Sequence, residues 1–156
     1  MKANIGISDK NSKAVALILN KLLASEFVLY TKTRNYHWNI ESPSFMEMHK
    51  FYEAQYTELA VIIDEVAERV RKIGHFAEGR LKDFIKLSDL EEGEYTDEAT
   101  AQINSLLEDH ETLARTIRNH IGDVEEKYKD VGTSDFLTGV LKAHEKMAWM
   151  LRSYLK

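Results

Sequence analysis

Tyr36-His37-Trp38-Asn39-Ile40-Glu41-Ser42-Pro43-Ser44-Phe45-Met46-Glu47-Met48-His49, continued to Asp64-Glu65-Val66-Ala67-Glu68-Arg69 and closed by Gly74, is the stretch whose reading decides the fold. Pro43 has no amide hydrogen and its ring clashes with a preceding helical turn, so it separates two helices. Ser44-Phe45-Met46-Glu47 after it has the pattern of a capping box, a helix start. From Phe45 the apolar residues Met48, Tyr52, Tyr56, Leu59, Ile62, Ile63, Val66, Val70 and Ile73 recur at helical spacing and mark one face of a long α-helix. Gly74 enters the left-handed region without steric cost and suits the helix end.

Four candidate metal ligands ride on this framework: His37, His49, Asp64 and Glu68. His37 falls near the end of the first helix and His49 a turn into the second. Asp64 and Glu68 are one helical turn apart, so their carboxylates project from one face. His49 and Asp64 share a side of the helix, offset by about 60°, but lie about 22 Å apart along its axis and cannot hold one ion together. Either they are unrelated, or a second copy of the helix crosses antiparallel near Tyr56 and Thr57 and brings the Asp64 of one chain to the His49 of the other. The stripe between them holds Glu53, Thr57 and Ala60, with Ala67 beyond, and Thr57, Ala60 and Ala67 are small enough for two helices to approach closely. That second arrangement is an isologous dimer with a metal site at its interface.

The pattern His37-Trp38-Asn39, Phe45, His49, Tyr56, Asp64-Glu65, Ala67-Glu68-Arg69 and Gly74 resembles the Dps family, the miniferritins, and the resemblance spans nearly the whole chain. It implies an all-α, ferritin-like four-helix bundle with a short extra helix in the crossover between the second and third helices. It also implies a ferroxidase that oxidises Fe(II), preferentially with hydrogen peroxide, and stores ferric mineral inside a dodecamer built from two-fold dimers. His37 and His49 would come from one chain, and Asp64 and Glu68 from its partner. Trp38 would lie close to the iron, where it either intercepts one-electron oxidants or packs at the interface. Glu53 would help nucleate mineral, although Lys50 stands where some relatives carry an acid. Asp130 and Asp135 would line three-fold pores that concentrate cations; the alternative for Asp135 is a charge at a helix N-terminus.

The flanking sequence agrees with a bundle. Ser8 or Asp9 can cap a first helix whose apolar positions Val15, Ile18, Leu19, Leu22, Leu23 and Leu29 lead toward Trp38, leaving residues 1–7 as a short mobile tail of a single domain, 1–156. Residues 80–87 suit a helix of about two turns. Thr96-Asp97-Glu98 opens a third long helix with Ile103, Leu106, Leu107, Leu113, Ile117, Ile121 and Val124 on its core face. Gly132-Thr133-Ser134 breaks that helix and caps a fourth, which uses Leu137, Val140, Leu141, Met147, Ala148, Leu151 and Leu155. Four amphipathic helices with short connections make a bundle.

Composition narrows the function classes. The 156 residues suit one domain. The absence of cysteine rules out a disulfide framework and thiolate metal ligation, and is compatible with a cytoplasmic protein. A formal charge of −5 gives no general attraction for DNA or an anionic membrane. No apolar run reads as a membrane span. A DNA-binding, nucleoid-protecting shell is the rival reading; with only Lys2, Lys10 and Lys13 in the first residues and Arg152 and Lys156 at the end, its DNA binding is expected to be weak or absent. A surface or signalling role is a third.

Imidazole with carboxylate suits Fe(II), Zn(II) or Co(II), and carboxylates favour the ferric product, so iron is expected, with zinc as a competitor at the same ligands. Bundle di-iron proteins place a Glu three residues before a ligand His. The residues three before His37, His49, His75, His110, His120 and His144 are Arg34, Met46, Lys72, Leu107, Ile117 and Leu141, so that site is not expected within one bundle. His144, and His110 with it, read as hydrogen-bonded core residues, while His75 and His120 read as surface residues or weak extra metal positions.

Overall fold

The computed structural model describes residues 3–155. Five α-helices follow in order: α1 (Asp9–Asn39), α2 (Phe45–Lys72), the short α3 (Leu81–Leu87), α4 (Ala99–Gly122) and α5 (Val131–Ser153), with a π-helical turn at Asp123–Lys127 extending α4. Among the described residues there is no strand, only an isolated bridge between Glu41 and Glu98 that pins the end of the crossover to the α1–α2 turn. α1 packs along α2 and α4 along α5; α3 lies against α1. Contacts of Lys32 with Asp109 and of Tyr36 with Ser105 show that α1 and α4 run antiparallel.

The core is the one that the apolar spacing predicts. Leu19, Leu23, Leu29, Leu59, Leu106, Leu113, Ile117, Leu137 and Met147 are fully buried. Leu107 and Ile121 only flank this core, and Leu155 is exposed. Ser8 caps α1, its hydroxyl accepting from the Asn11 amide. Ala3 lies against Gly74, so part of the expected tail touches the fold, while Met1 and Lys2 lie outside the described residues. Gly74 has φ +91° and ends α2, with the His75 amide donating back to the Val70 carbonyl.

Four local expectations are corrected. Ser44 precedes α2 but its side chain makes no capping bond. Glu47 accepts instead from the Tyr154 hydroxyl at 2.9 Å, which ties the C-terminal turn to α2 and competes with the capping box. Burial, followed by this carboxylate, pushes the Tyr154 phenol up to about 12. Second, Gly132 does not break a helix. It sits in the first turn of α5, where Arg69 passes so close that an added Cβ would meet its Nη2 at 2.9 Å. Third, the cap of α5 is Asp130, whose carboxylate accepts from the Thr133 amide. The chain reverses through the π-helical turn and Lys129 at φ 58°. Fourth, α1 does contain a stretch long and apolar enough to cross a membrane. More than half of it is buried against the bundle, so it is a core helix of this fold.

Candidate metal centre

The histidines of the opening stretch meet across the α1–α2 turn. The two chain segments run antiparallel there, so His37 on α1 faces His49 on α2, their rings stacked at 3.7 Å between centroids and 21° between planes. The His37 Nδ1 donates to the His49 backbone carbonyl at 2.7 Å, and the His49 Nδ1 donates to the His37 carbonyl at 2.8 Å. A carbonyl only accepts, so each Nδ1 carries a hydrogen, and in the neutral ring Nε2 then keeps its lone pair. That is the tautomer that metal ligation through Nε2 requires, fixed by outer hydrogen bonds. His37 is buried and His49 half-buried.

Aromatic groups frame the pair. Phe45 stacks on His49 at 5.1 Å and Tyr56 meets His37 edge-on at 5.2 Å. One turn before His37, the Arg34 guanidinium lies over the rings of Tyr56, Trp38 and Tyr30 at 4.8, 5.1 and 5.6 Å, and donates to the Tyr30 hydroxyl. Trp38 itself is exposed. Together with Leu81, Ile85 and Tyr95 it borders a cavity of about 590 Å³ between α1 and α3.

Asp64 and Glu68 stand apart from the histidines, further along α2. Both are exposed, as is Glu53. Glu68 takes a 3.0 Å ion pair from Lys72, one turn on, and the Asp64 side chain makes no hydrogen bond or ion pair among the described residues. No group of three His, Asp or Glu side chains able to hold a metal forms within the described residues of one chain. The structure thus brings His37 and His49 together and leaves Asp64 and Glu68 facing outward. Thr57 and Ala60, also exposed, lie between.

Asp130 and Asp135 are separated by their surroundings. Asp135 is exposed. Asp130 is 2% exposed, caps α5, accepts from Thr133 and pairs with Arg69 at 3.1 Å. Its carboxylate is thus engaged within the chain, while that of Asp135 is open to solvent.

Residues 16–156 match the family model of the ferritin-like domain. The DNA protection during starvation protein 2 of Bacillus anthracis is 35% identical over 92% of this chain and 98% of its own length. The chain belongs to the Dps family. An uncharacterized low temperature-induced protein of Nostoc sp. is 39% identical over 99% of this chain and 87% of its own. Among solved structures, the Dps protein from Vibrio cholerae O1, described as a member of a broad superfamily of ferritin-like diiron-carboxylate proteins, superposes with a TM-score of 0.93 at 30% identity, covering 99% of this chain and 97% of that one.

The centre of this Dps-family bundle is not wholly apolar. His110 and His144 join Nδ1 to Nδ1 at 2.9 Å, and the Nε2 of His144 reaches Glu26 Oε1 at 2.7 Å. All three side chains are fully buried. The two histidines are the hydrogen-bonded core residues that the sequence suggests. Glu26 escaped that reading, although the signal was present: it falls on the stripe Leu19, Leu22, Leu23, Leu29 of α1, an acid among core positions. Lys32 and Asp109 form a buried ion pair nearby, at 2.6 Å. The reciprocal histidine bonds and the place of Arg34 were not legible, because both depend on how two antiparallel helices register.

Proposed function

We propose that this protein is an iron-storing ferroxidase whose sites are completed between paired subunits. The single observation that carries this reading is the reciprocal latch of His37 and His49, which occupies both Nδ1 atoms and leaves two Nε2 lone pairs for a ligand. His37 and His49 supply one half of the site; Asp64 and Glu68, exposed and spaced by one turn, supply the other half from the partner subunit. Mixed imidazole and carboxylate ligation suits Fe(II) as substrate and stabilises Fe(III), and zinc competes for the same atoms.

In the reaction, two Fe(II) each give one electron to hydrogen peroxide, the O–O bond breaks, and two protons complete two water molecules. Peroxide is the preferred oxidant because a two-electron step releases no hydroxyl radical. Trp38, exposed beside the histidines and under Arg34, intercepts stray one-electron oxidation. Twelve chains enclose the ferric product in a cytoplasmic shell. Glu53 nucleates mineral, and Asp135, the exposed member of its pair, lines the entry pores. The name of the Bacillus anthracis relative raises DNA protection as a second reading. With a formal charge of −5, we expect weak or no direct DNA binding at physiological salt, and a gel shift showing tight binding there would sink that part.

The test is anaerobic loading of metal-free protein with Fe(II), followed by half-stoichiometric peroxide, with ferric absorbance recorded. Fast oxidation in the wild type that is lost in an Asp64→Asn, Glu68→Gln double variant supports the reading. Equal, slow oxidation in both overturns it.

A further inference from the structure

The buried Glu26, His144 and His110 lie outside the metal centre and have no part in the reaction above. They come from three helices, α1, α5 and α4, and join in one line: Glu26 Oε1 to His144 Nε2 at 2.7 Å, and His144 Nδ1 to His110 Nδ1 at 2.9 Å. Only one hydrogen fits between two ring nitrogens at that separation. Whichever ring owns it, the other must present a bare lone pair. At the ends of the line, Glu26 Oε2 and His110 Nε2 are buried without a partner.

We propose that this line is an acid-sensitive lock in the bundle core: it closes α1, α4 and α5 on one shared hydrogen between the two rings, and a further proton parts His110 from His144 and loosens the α4–α5 half of the subunit. A proton that lands on the bare facing Nδ1 turns the bond into a repulsive contact, and one that lands on the unpartnered His110 Nε2 leaves a buried charge with nothing to accept from it; either opposes the closed line. The added charge also has no water to solvate it, because all three groups are 0% exposed. Burial in the first place, and the neighbouring His144 in the second, hold the His110 imidazole well below its ordinary range.

The sign follows from linkage. His110 binds its proton more weakly in the folded chain than in the unfolded one, where it titrates at about 6.5. Stability from the lock is therefore whole above that pH and declines as the pH falls from it toward the folded value. The other charged groups near the line are Lys32 on α1 and Asp109 on α4, paired with each other. Burial raises the Asp109 carboxyl against the pull of Lys32. Asp109 thus acts with the opposite sign, and only as the pH nears the carboxylate range. From α2 the buried polar groups are the neutral Tyr52 and Gln55.

The test is urea unfolding of the intact protein at fixed concentration from pH 7.5 to 5, for wild type and His110→Gln. In the wild type the unfolding constant should rise below about pH 6.5 more steeply than in the variant, by up to tenfold per pH unit for the one proton at stake. Parallel pH dependence in the two proteins would overturn the proposal. Should His110→Gln not fold, imidazole NMR of the wild type decides. His110 staying unprotonated until the α4 and α5 amides lose protection supports the lock; His110 taking a proton with those amides still protected refutes it.

Discussion

His37 with His49 and His110 with His144 are two histidine pairs in one bundle, and they are built for opposite ends. In the first pair each Nδ1 is spent on a backbone carbonyl, so in the neutral rings both Nε2 atoms keep their lone pairs available. In the second pair the Nδ1 atoms are spent on each other, and Glu26 takes the free end of His144. A carbonyl at the back of an imidazole makes a ligand; another imidazole and a carboxylate make a structural tie. The residue type carries little of the function, and the hydrogen-bond partner carries most of it.

The comparison breaks hardest at the core. Glu26→Leu leaves a buried histidine facing an apolar group and should cost about 3–5 kcal/mol of subunit stability, the usual loss when one member of a buried polar pair is removed. Chemical denaturation measures it, and whatever fraction folds should still oxidise Fe(II). At the His37–His49 pair the emphasis reverses. His37→Ala or His49→Ala should weaken Fe(II) or Zn(II) binding by at least about tenfold, yet cost only about 1–2 kcal/mol of stability for the lost carbonyl bonds and stacking. Metal titration and denaturation of the same preparations separate the two effects. A His49→Ala variant as unstable as Glu26→Leu would erase the distinction.

A smaller change sharpens the other half of the site. Lys72→Ala releases Glu68 from an ion pair whose side chains are both more than half exposed. It should shift stability by no more than about 0.5 kcal/mol and leave the oxidation rate equal or slightly higher. A marked loss of activity would mean that Lys72 orients Glu68 rather than merely neighbouring it.

How far the sequence anticipates this depends on the range of the interaction. Pro43, Gly74 and the recurrence of Met48, Tyr52, Leu59, Val66 and Val70 are local features, and they place α1, α2 and their turn correctly. The start of α5 is misplaced, because Asp130 competes with the hydroxyl residues after Gly132 for the capping role and wins with help from Arg69, a residue on another helix. The capping box at Ser44 fails for a similar reason: Glu47 is claimed by Tyr154, over a hundred positions away. The candidate ligands are legible as residues, but that His37 and His49 share their carbonyls is a fact of helix register. Glu26 could have been flagged from its place on an apolar stripe, while its partners could not.

The claim that the site is split between two chains is tested most directly by complementation. One chain would carry His37→Ala with His49→Ala, and the other Asp64→Asn with Glu68→Gln; each is assayed alone and after co-expression. Each alone should be inactive. In a random mixture, half of the two-fold dimers pair unlike chains, and each such dimer rebuilds one intact site of its two, so about a quarter of the wild-type oxidation rate should return. No recovery from mixed dimers, verified as mixed by mass, would contradict a shared site.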